Sequence, residues 1–544
     1  MRSVFLIALL LLSTREASAA SPATSVPAGH HGYRLTTWVA PSYFHGVHGM
    51  AVAADGSVYA GDILGQTVWR IPPGSHQPVV FVPAPAGMAD DVAIGLDGSI
   101  VWTSILNGFL YRRSPDGVIT TLASGLPGIN SVGFAADGRL FASQLEGVDR
   151  LFEIVAGAPP KLMMEHNGGL NGFQIVNNLM YAPQGSLKRV ITLDLTNNKA
   201  TELANGFQWP TGVKVDSRGR IYAVDLTAGA LYRIHPGAAN EKIAQFLPGI
   251  DNLAIDHQDR ILVSSPGDNT IFRVDPDTRR VEPWIEGRLS VPGGVAVAAD
   301  GSVLVADTFG FKAVSPRTRR VSDLGRRVGE PIVAGLNVHA CEGAVTLSHW
   351  YESSVRLLDS TARVTKRRIT GLAKPQDAIL LPDHSLLIAE TGKHRLARVL
   401  VEGDTAETFM EGFDAPAGLT CAKAGKVYVT DAAAGTVSEI AIATRQRRLV
   451  ASGLNRPEGI ALAPDSALYV AEVGARRLLK LRPDGGTPRN IVDLPQSLDP
   501  PPGIPLPWVI TGVAVADDGR IYVSSPATTA LYMIEPPRSR SPQR

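Results

Sequence analysis

Six residues recur at one place in a repeated phrase: His48, Asp90, Asn130, Asn171, Thr211 and Asp251, spaced 40 to 42 residues apart. Each follows a Pro- or Gly-led turn and precedes alternating apolar residues and a second turn, as in GVHGMAVAADGSVYAGD and WPTGVKVDSRGRIYAVD. Brought onto one axis they would supply two carboxylates, two amides, a hydroxyl and an imidazole. Oxygen donors without sulfur suit a hard cation, and Ca²⁺ fits best because it accepts about six to eight oxygens in flexible geometry. Carboxylates crowded together without a cation repel one another and shift their pKa. A hydrogen-bonded plug of polar residues and water is the other way to fill such an axis.

The phrase recurs six more times, with Gly293, Asn337, Gln376, Ala417, Glu458 and Thr511 at the same place. This second set carries one carboxylate among small or neutral residues. Successive spacings run from 39 to 44 residues, except for 53 before Thr511, where the chain carries the insertion SLDPPPGIPLP, residues 497–507. Val-x-Val and Ile-x-Val alternation is the period-two mark of strands. Asp55-Gly56, Asp97-Gly98, Asp137-Gly138, Asp300-Gly301 and Asp518-Gly519 supply tight hairpin turns. Four strands in about 41 residues make a propeller blade, and twelve blades exceed the usual four to eight of one ring.

The expected fold is therefore all-β: two tandem six-bladed β-propellers, with an N-terminal ring over residues 30–276 and a C-terminal ring over 277–536. The last unit stops at LYMIEP without an outer strand, and residues 33–40 (YRLTTWVA) form an orphan strand ahead of the first unit. The orphan is expected to complete the sixth blade, and residues 279–287 (RRVEPWIEG) the twelfth, so that neither ring keeps an open edge. Cys341 and Cys421 lie four residues after their recurring positions, two blades apart, and are expected to be two buried thiols. Residues 537–544 read as a disordered tail.

Composition narrows the partners. The 52 Lys and Arg balance 51 Asp and Glu, for a net charge of +1, which argues against a nucleic-acid binder. The start is a targeting segment, residues 1–19: Met1-Arg2, a nine-residue apolar run from Val4 to Leu12, then Ala17-Ser18-Ala19. The run is too short for a membrane span, which needs about 20 residues. The expectation is export to the periplasm or outside after cleavage near Ala19 or Ala20, with no membrane span.

The units, LLIAETGKHRLARV (386–399) above all, resemble NHL-type propeller repeats. The first six units more specifically resemble the calcium-dependent six-bladed lactonases, the group of gluconolactonase/regucalcin and the paraoxonases. The resemblance rests on GINSVGF with Asn130, GLNGFQI with Asn171, GIDNLAIDHQDRILVSS with Asp251-Asn252, and MADDVAIGLDGS with Asp90-Asp91. It implies a channel Ca²⁺, or another divalent cation, held by Asn130, Asn171, Asp251 and Asn252. Such an ion would polarise a lactone or ester carbonyl, with His48 or Asp90 as general base toward water. In this chain Asp90 and Asn130 fall in adjacent units, Thr211 intervenes between Asn171 and Asp251, and no His lies between Asp90 and Asn130.

Other readings stay open: a non-catalytic propeller whose second ring binds protein or glycan, and a metal-dependent lyase or isomerase on the same scaffold. Asp62, Asp225, Asp307, Glu390, Asp431 and Glu472 follow the second strand of their units at one register in both halves, which points to bracing of turns.

Overall fold

The computed structural model describes residues 29–145, 147–326, 335–501 and 503–537. The targeting segment and the tail beyond Pro537 lie outside the described residues. The described chain folds into twelve four-stranded antiparallel sheets. Within eleven of the twelve blades the strands follow in sequence order from the axis outward, because short hairpins carry little closure entropy. The Asp-Gly turns behave as their residues require: Gly56 and Gly301 sit at φ +83° and +81°, where a β-carbon is strained.

The twelve blades form two closed rings of six. Ring one spans 47–285 and closes where its first innermost strand, Val47–Val52, meets the sixth, Leu253–Ile255. Ring two begins at Pro292–Val297 and closes against Val513–Val515. Apolar layers between neighbouring blades hold each ring; the seam between blades one and six buries Phe44, Val58, Ile71, Leu262 and Ile271. Each such side chain contributes roughly 1.5–3 kcal/mol.

The closing strands are exchanged relative to expectation. Val281–Ile285 pairs with its own hairpin neighbour, Thr270–Val274, and completes blade six, so ring one ends at 285 and not at 276. The N-terminal strand Arg34–Val39 instead pairs with Ala530–Glu535 and completes blade twelve, with Leu35 opposite Ile534. Trp38 anchors it in ring two, edge-on to Tyr522 with ring centroids 5.8 Å apart. The physical reason is the turn at Asp275–Arg280, where Asp275 N–H donates to the Arg280 carbonyl at 3.0 Å. That tight hairpin fills blade six locally and leaves blade twelve as the open edge. From Arg34 on, the described chain thus passes from ring two through ring one and back.

Cys341 and Cys421 are likewise not free thiols but a disulfide, with α-carbons 5.7 Å apart. Innermost strands converge on the axis, so equivalent positions on blades eight and ten, with one blade between them, come within bonding reach.

The two rings meet by the faces that carry the recurring positions, with the insertion between them. Ring two's Lys312 Nζ donates to the Gly267 carbonyl of ring one at 2.7 Å, and its Arg326 pairs with Asp268. Ser42 N–H donates to Thr529 Oγ1 at 2.6 Å, and Gln66 Nε2 to the Asp499 carbonyl of the insertion at 2.9 Å. No helix among the described residues is long and apolar enough to cross a membrane.

Candidate functional site between the rings

In half of the blades, that of His48 among them, a carboxylate at the end of the second strand fixes the loop that carries the recurring residue. Asp62 accepts from the N–H groups of His45 and Gly65, both at 2.9 Å. Asp225 holds Gln208 and Trp209, Asp307 holds Ser290 and Val291, and Asp431 holds Asp414 and Ala415 in the same way. Glu390 and Glu472 do this for Ala373 and Asn455. These acids are structural braces in both rings.

Neighbouring blades are stitched at the recurring positions themselves. Gly49 N–H donates to the Asp90 carbonyl at 2.7 Å, Thr103 Oγ1 to the Asn130 carbonyl, and Thr211 Oγ1 to the Asp251 carbonyl at 2.5 Å. With their main chains held, the side chains of His48, Asp90, Asn130 and Asp251 line one cavity of about 360 Å³ at the mouth of ring one.

Asp90 is buried, and among the described residues no protein group donates a hydrogen bond to its carboxylate or to that of Asp251. Burial, then the charges of Asp251 and Asp91, push the Asp90 pKa well up. Burial also raises Asp251, against the pull of His48. His48 Nδ1 lies 2.7 Å from the Gly46 carbonyl. A carbonyl only accepts, so Nδ1 carries a proton, and in the neutral ring the lone pair is on Nε2.

One layer deeper, the axis is filled. A β-carbon at Gly49 would fall 2.2 Å from Asp91 Oδ1, and one at Gly172 2.9 Å from Asn252 Oδ1. Asp91 accepts from the Val92 and Val132 N–H groups at 3.0 and 3.3 Å, and Asn252 Nδ2 lies 3.4 Å from Asp91 Oδ1. Burial raises Asp91 to about 6, while the charge of Lys214 pulls the other way. Lys214 Nζ donates to the carbonyls of Gly172 and Phe173 at 3.2 and 2.8 Å.

Of the residues expected at the site, the structure brings His48, Asp90, Asn130 and Asp251 together around the cavity. Asn171 and Asn252 do not line it. Asn171 Oδ1 accepts from Ser131 Oγ and Gly172 N–H, both at 2.8 Å, and Asn252 Oδ1 from Leu253 N–H at 2.8 Å. Of the deeper pair, Asp91 carries the resemblance together with Asp90 but had no role assigned, and Lys214 was not expected there, although a lysine inside the alternating run GVKVD breaks the apolar pattern.

Half of the cavity belongs to ring two, which was not expected. Phe309, Leu336, Trp350, Ile504, Trp508 and Val509 close it opposite the carboxylates. Phe309 sits edge-on to His48, with centroids 5.5 Å apart, above Gly46, where a β-carbon would fall 2.2 Å from its ring. The insertion is held over ring two's own mouth. Gln376 donates to the Pro507 carbonyl, Lys374 Nζ to Pro505 O at 2.9 Å, and Trp350 Nε1 to Trp508 O at 2.5 Å.

Neither a protein-family model nor a curated protein matches the chain. Solved structures resemble it at the level of the fold. A streptogramin B lyase is 17% identical over 51% of this chain and 95% of its own, with TM-score 0.38. A gluconolactonase from Xanthomonas campestris is 15% identical over 44% and 92%, with TM-score 0.37. The extracellular domain of a one-component system from B. thetaiotaomicron is 12% identical over 92% and 76%, with TM-score 0.32.

Proposed function

We propose that the chain is an exported, divalent-cation-dependent hydrolase of a lactone or ester, with its reacting centre at the mouth of ring one. The observation that carries this reading is the convergence of two carboxylates, Asp90 and Asp251, that lack protein donors among the described residues. Beside them stand the Asn130 amide and an imidazole of fixed tautomer. Acidic groups gathered without compensating donors are costly unless something cationic joins them. Their oxygen-only chemistry fits a hard cation such as Ca²⁺.

Asp90, Asp251 and Asn130 would hold the cation. When bound, it supplies Lewis-acid polarisation of a carbonyl and stabilisation of the developing oxyanion. The chain's own groups do the rest. His48 Nε2 takes a proton from the attacking water, and the Gly46 carbonyl, bonded to Nδ1–H, keeps the ring in that tautomer. Asp90 is committed to the cation in this scheme, which leaves His48 as the base. The apolar wall from ring two excludes bulk water, which strengthens every charge interaction inside.

Export is supported by the leader pattern and by the Cys341–Cys421 disulfide, a bond that persists in oxidising compartments. A protein or glycan partner of ring two would have to use its other face, since the insertion covers its mouth. The test is hydrolysis of a panel of lactones and esters by chelator-treated protein with and without added Ca²⁺. Cation-dependent turnover lost in Asp251→Ala is expected; turnover indifferent to both would refute the assignment.

A further inference from the structure

We infer that ring two and its insertion are the substrate-selecting half of this site, and that the ligand is amphipathic. Its carbonyl end would meet the acids of ring one, and a hydrocarbon chain or aromatic group would lie against ring two. The inference rests on the assignment of ring one's mouth as the reacting end, but its binding half can be measured without any reaction.

The two rings line the cavity differently. The acids and the Asn130 amide come from ring one, with Leu64, Ile105 and Leu226 beside them, while the aromatic wall of Phe309, Trp350 and Trp508, with Ile504, comes from ring two and its insertion, next to Thr308, His349 and Tyr351. Hydroxyls of a ligand set against Phe309, Ile504 and Trp508 would find no partner on those side chains, which is costly. A hydrocarbon group loses only its contact with water there, which is favourable.

The wall is built in, not laid over by chance. Trp508 is buried, its Nε1 donates to the Leu498 carbonyl at 3.0 Å, and its own carbonyl accepts from Trp350. Gln66 of ring one holds the other side of the insertion at 2.9 Å. Gly46 lacks the side chain that would displace Phe309. The cavity, about 360 Å³, lies at the small end of ligand pockets, so one short chain or one ring fills it.

Two measurements test this together. The first is kcat/KM for p-nitrophenyl esters from acetate to octanoate, which should climb about fourfold per added methylene until the cavity is full. The climb should flatten in Ile504→Ala and vanish in Ile504→Glu. The second is binding of 1-octanol, which cannot be hydrolysed, read by the fluorescence of Trp350 and Trp508 in the native protein and in both variants. Octanol binding at least tenfold weaker in Ile504→Glu, with no ester turned over, would uphold the apolar subsite while the hydrolase assignment fails. Turnover that ignores chain length, with no octanol binding, would overturn the inference and leave the hydrolase standing. Neither turnover nor binding would overturn both.

Discussion

The two rings share a fold, a bracing scheme and even a buried acid at one axial position, yet their mouths have opposite fates. Asp91 in ring one and Asp377 in ring two each accept from the N–H that follows and from an N–H of the next blade, Val132 at 3.3 Å and Leu419 at 2.7 Å. Their partners differ: the charge of Lys214 acts on Asp91, and His339 Nε2 lies 2.9 Å from Asp377. Above them the rings diverge. Ring one opens its acids onto a cavity. Ring two packs backbone on its axis, where a β-carbon at Gly512 would fall 2.6 Å from the Gly294 α-carbon, and it is covered by its own insertion. Scaffold and site are thus separable: a braced ring tolerates glycine or aspartate at the recurring position, and that choice decides whether the mouth holds chemistry or a lid.

The comparison breaks most visibly at the acids. Asp251→Ala should lower kcat/KM by about 10³-fold or more, the loss of several kcal/mol of transition-state stabilisation. The same change at Glu458, the lone acid of ring two's mouth, should leave it within twofold. Equal losses from the two rings, measured as initial rates, would erase the distinction. His48→Gln should cost about 10²-fold in kcat, since glutamine cannot take the water's proton.

Stability sharpens the comparison from ring two's side. Cys341→Ser with Cys421→Ser removes a bond between blades eight and ten that spans 80 residues of sequence, and should cost about 2–5 kcal/mol, visible as a lower Tm. Activity at temperatures where the variant stays folded should persist, because the disulfide lies in the ring that holds none of the acids.

The smallest effect concerns pH at the seam. His45 of ring one stands 3.3 Å from Asp62, and its Nε2 3.0 Å from the Ala527 carbonyl of ring two. Burial lowers its pKa, but the Asp62 bond and charge and the Ala527 carbonyl outweigh this, so the net shift is upward from 6.5. A raised histidine pKa gives stability that is complete below 6.5 and lost as pH rises through the folded value. Glu458 adds the same sign, since burial takes it from 4.5 to about 7 against the pull of Arg456. Denaturant midpoints should therefore fall from pH 6 to pH 8, and less steeply in Glu458→Gln; a rise over that interval would contradict both.

The repeat made the rings readable, because alternation and Asp-Gly turns act locally within each blade. The closing strands were not, since YRLTTWV and VEPWI are equally good outer strands and alternation does not name a partner. The signal was present in the short Asp275–Arg280 turn, which makes local pairing the cheaper one. The disulfide was missed because spacing along the chain says nothing of how closely innermost strands converge. At the site, residue type at the recurring position found His48, Asp90, Asn130 and Asp251. It could not tell that Asn171 turns its oxygen to Ser131, nor that the insertion of ring two would become a wall for ring one.

The central claim, that ring one's mouth is a cation site and ring two's is not, is tested most directly by calorimetric titration. Ca²⁺ would be added to the chelator-treated protein, to Asp251→Ala and to Glu458→Ala. One saturable event, kept in Glu458→Ala and lost in Asp251→Ala, is the expected result. No binding to the native protein, or binding that survives in Asp251→Ala, would contradict it.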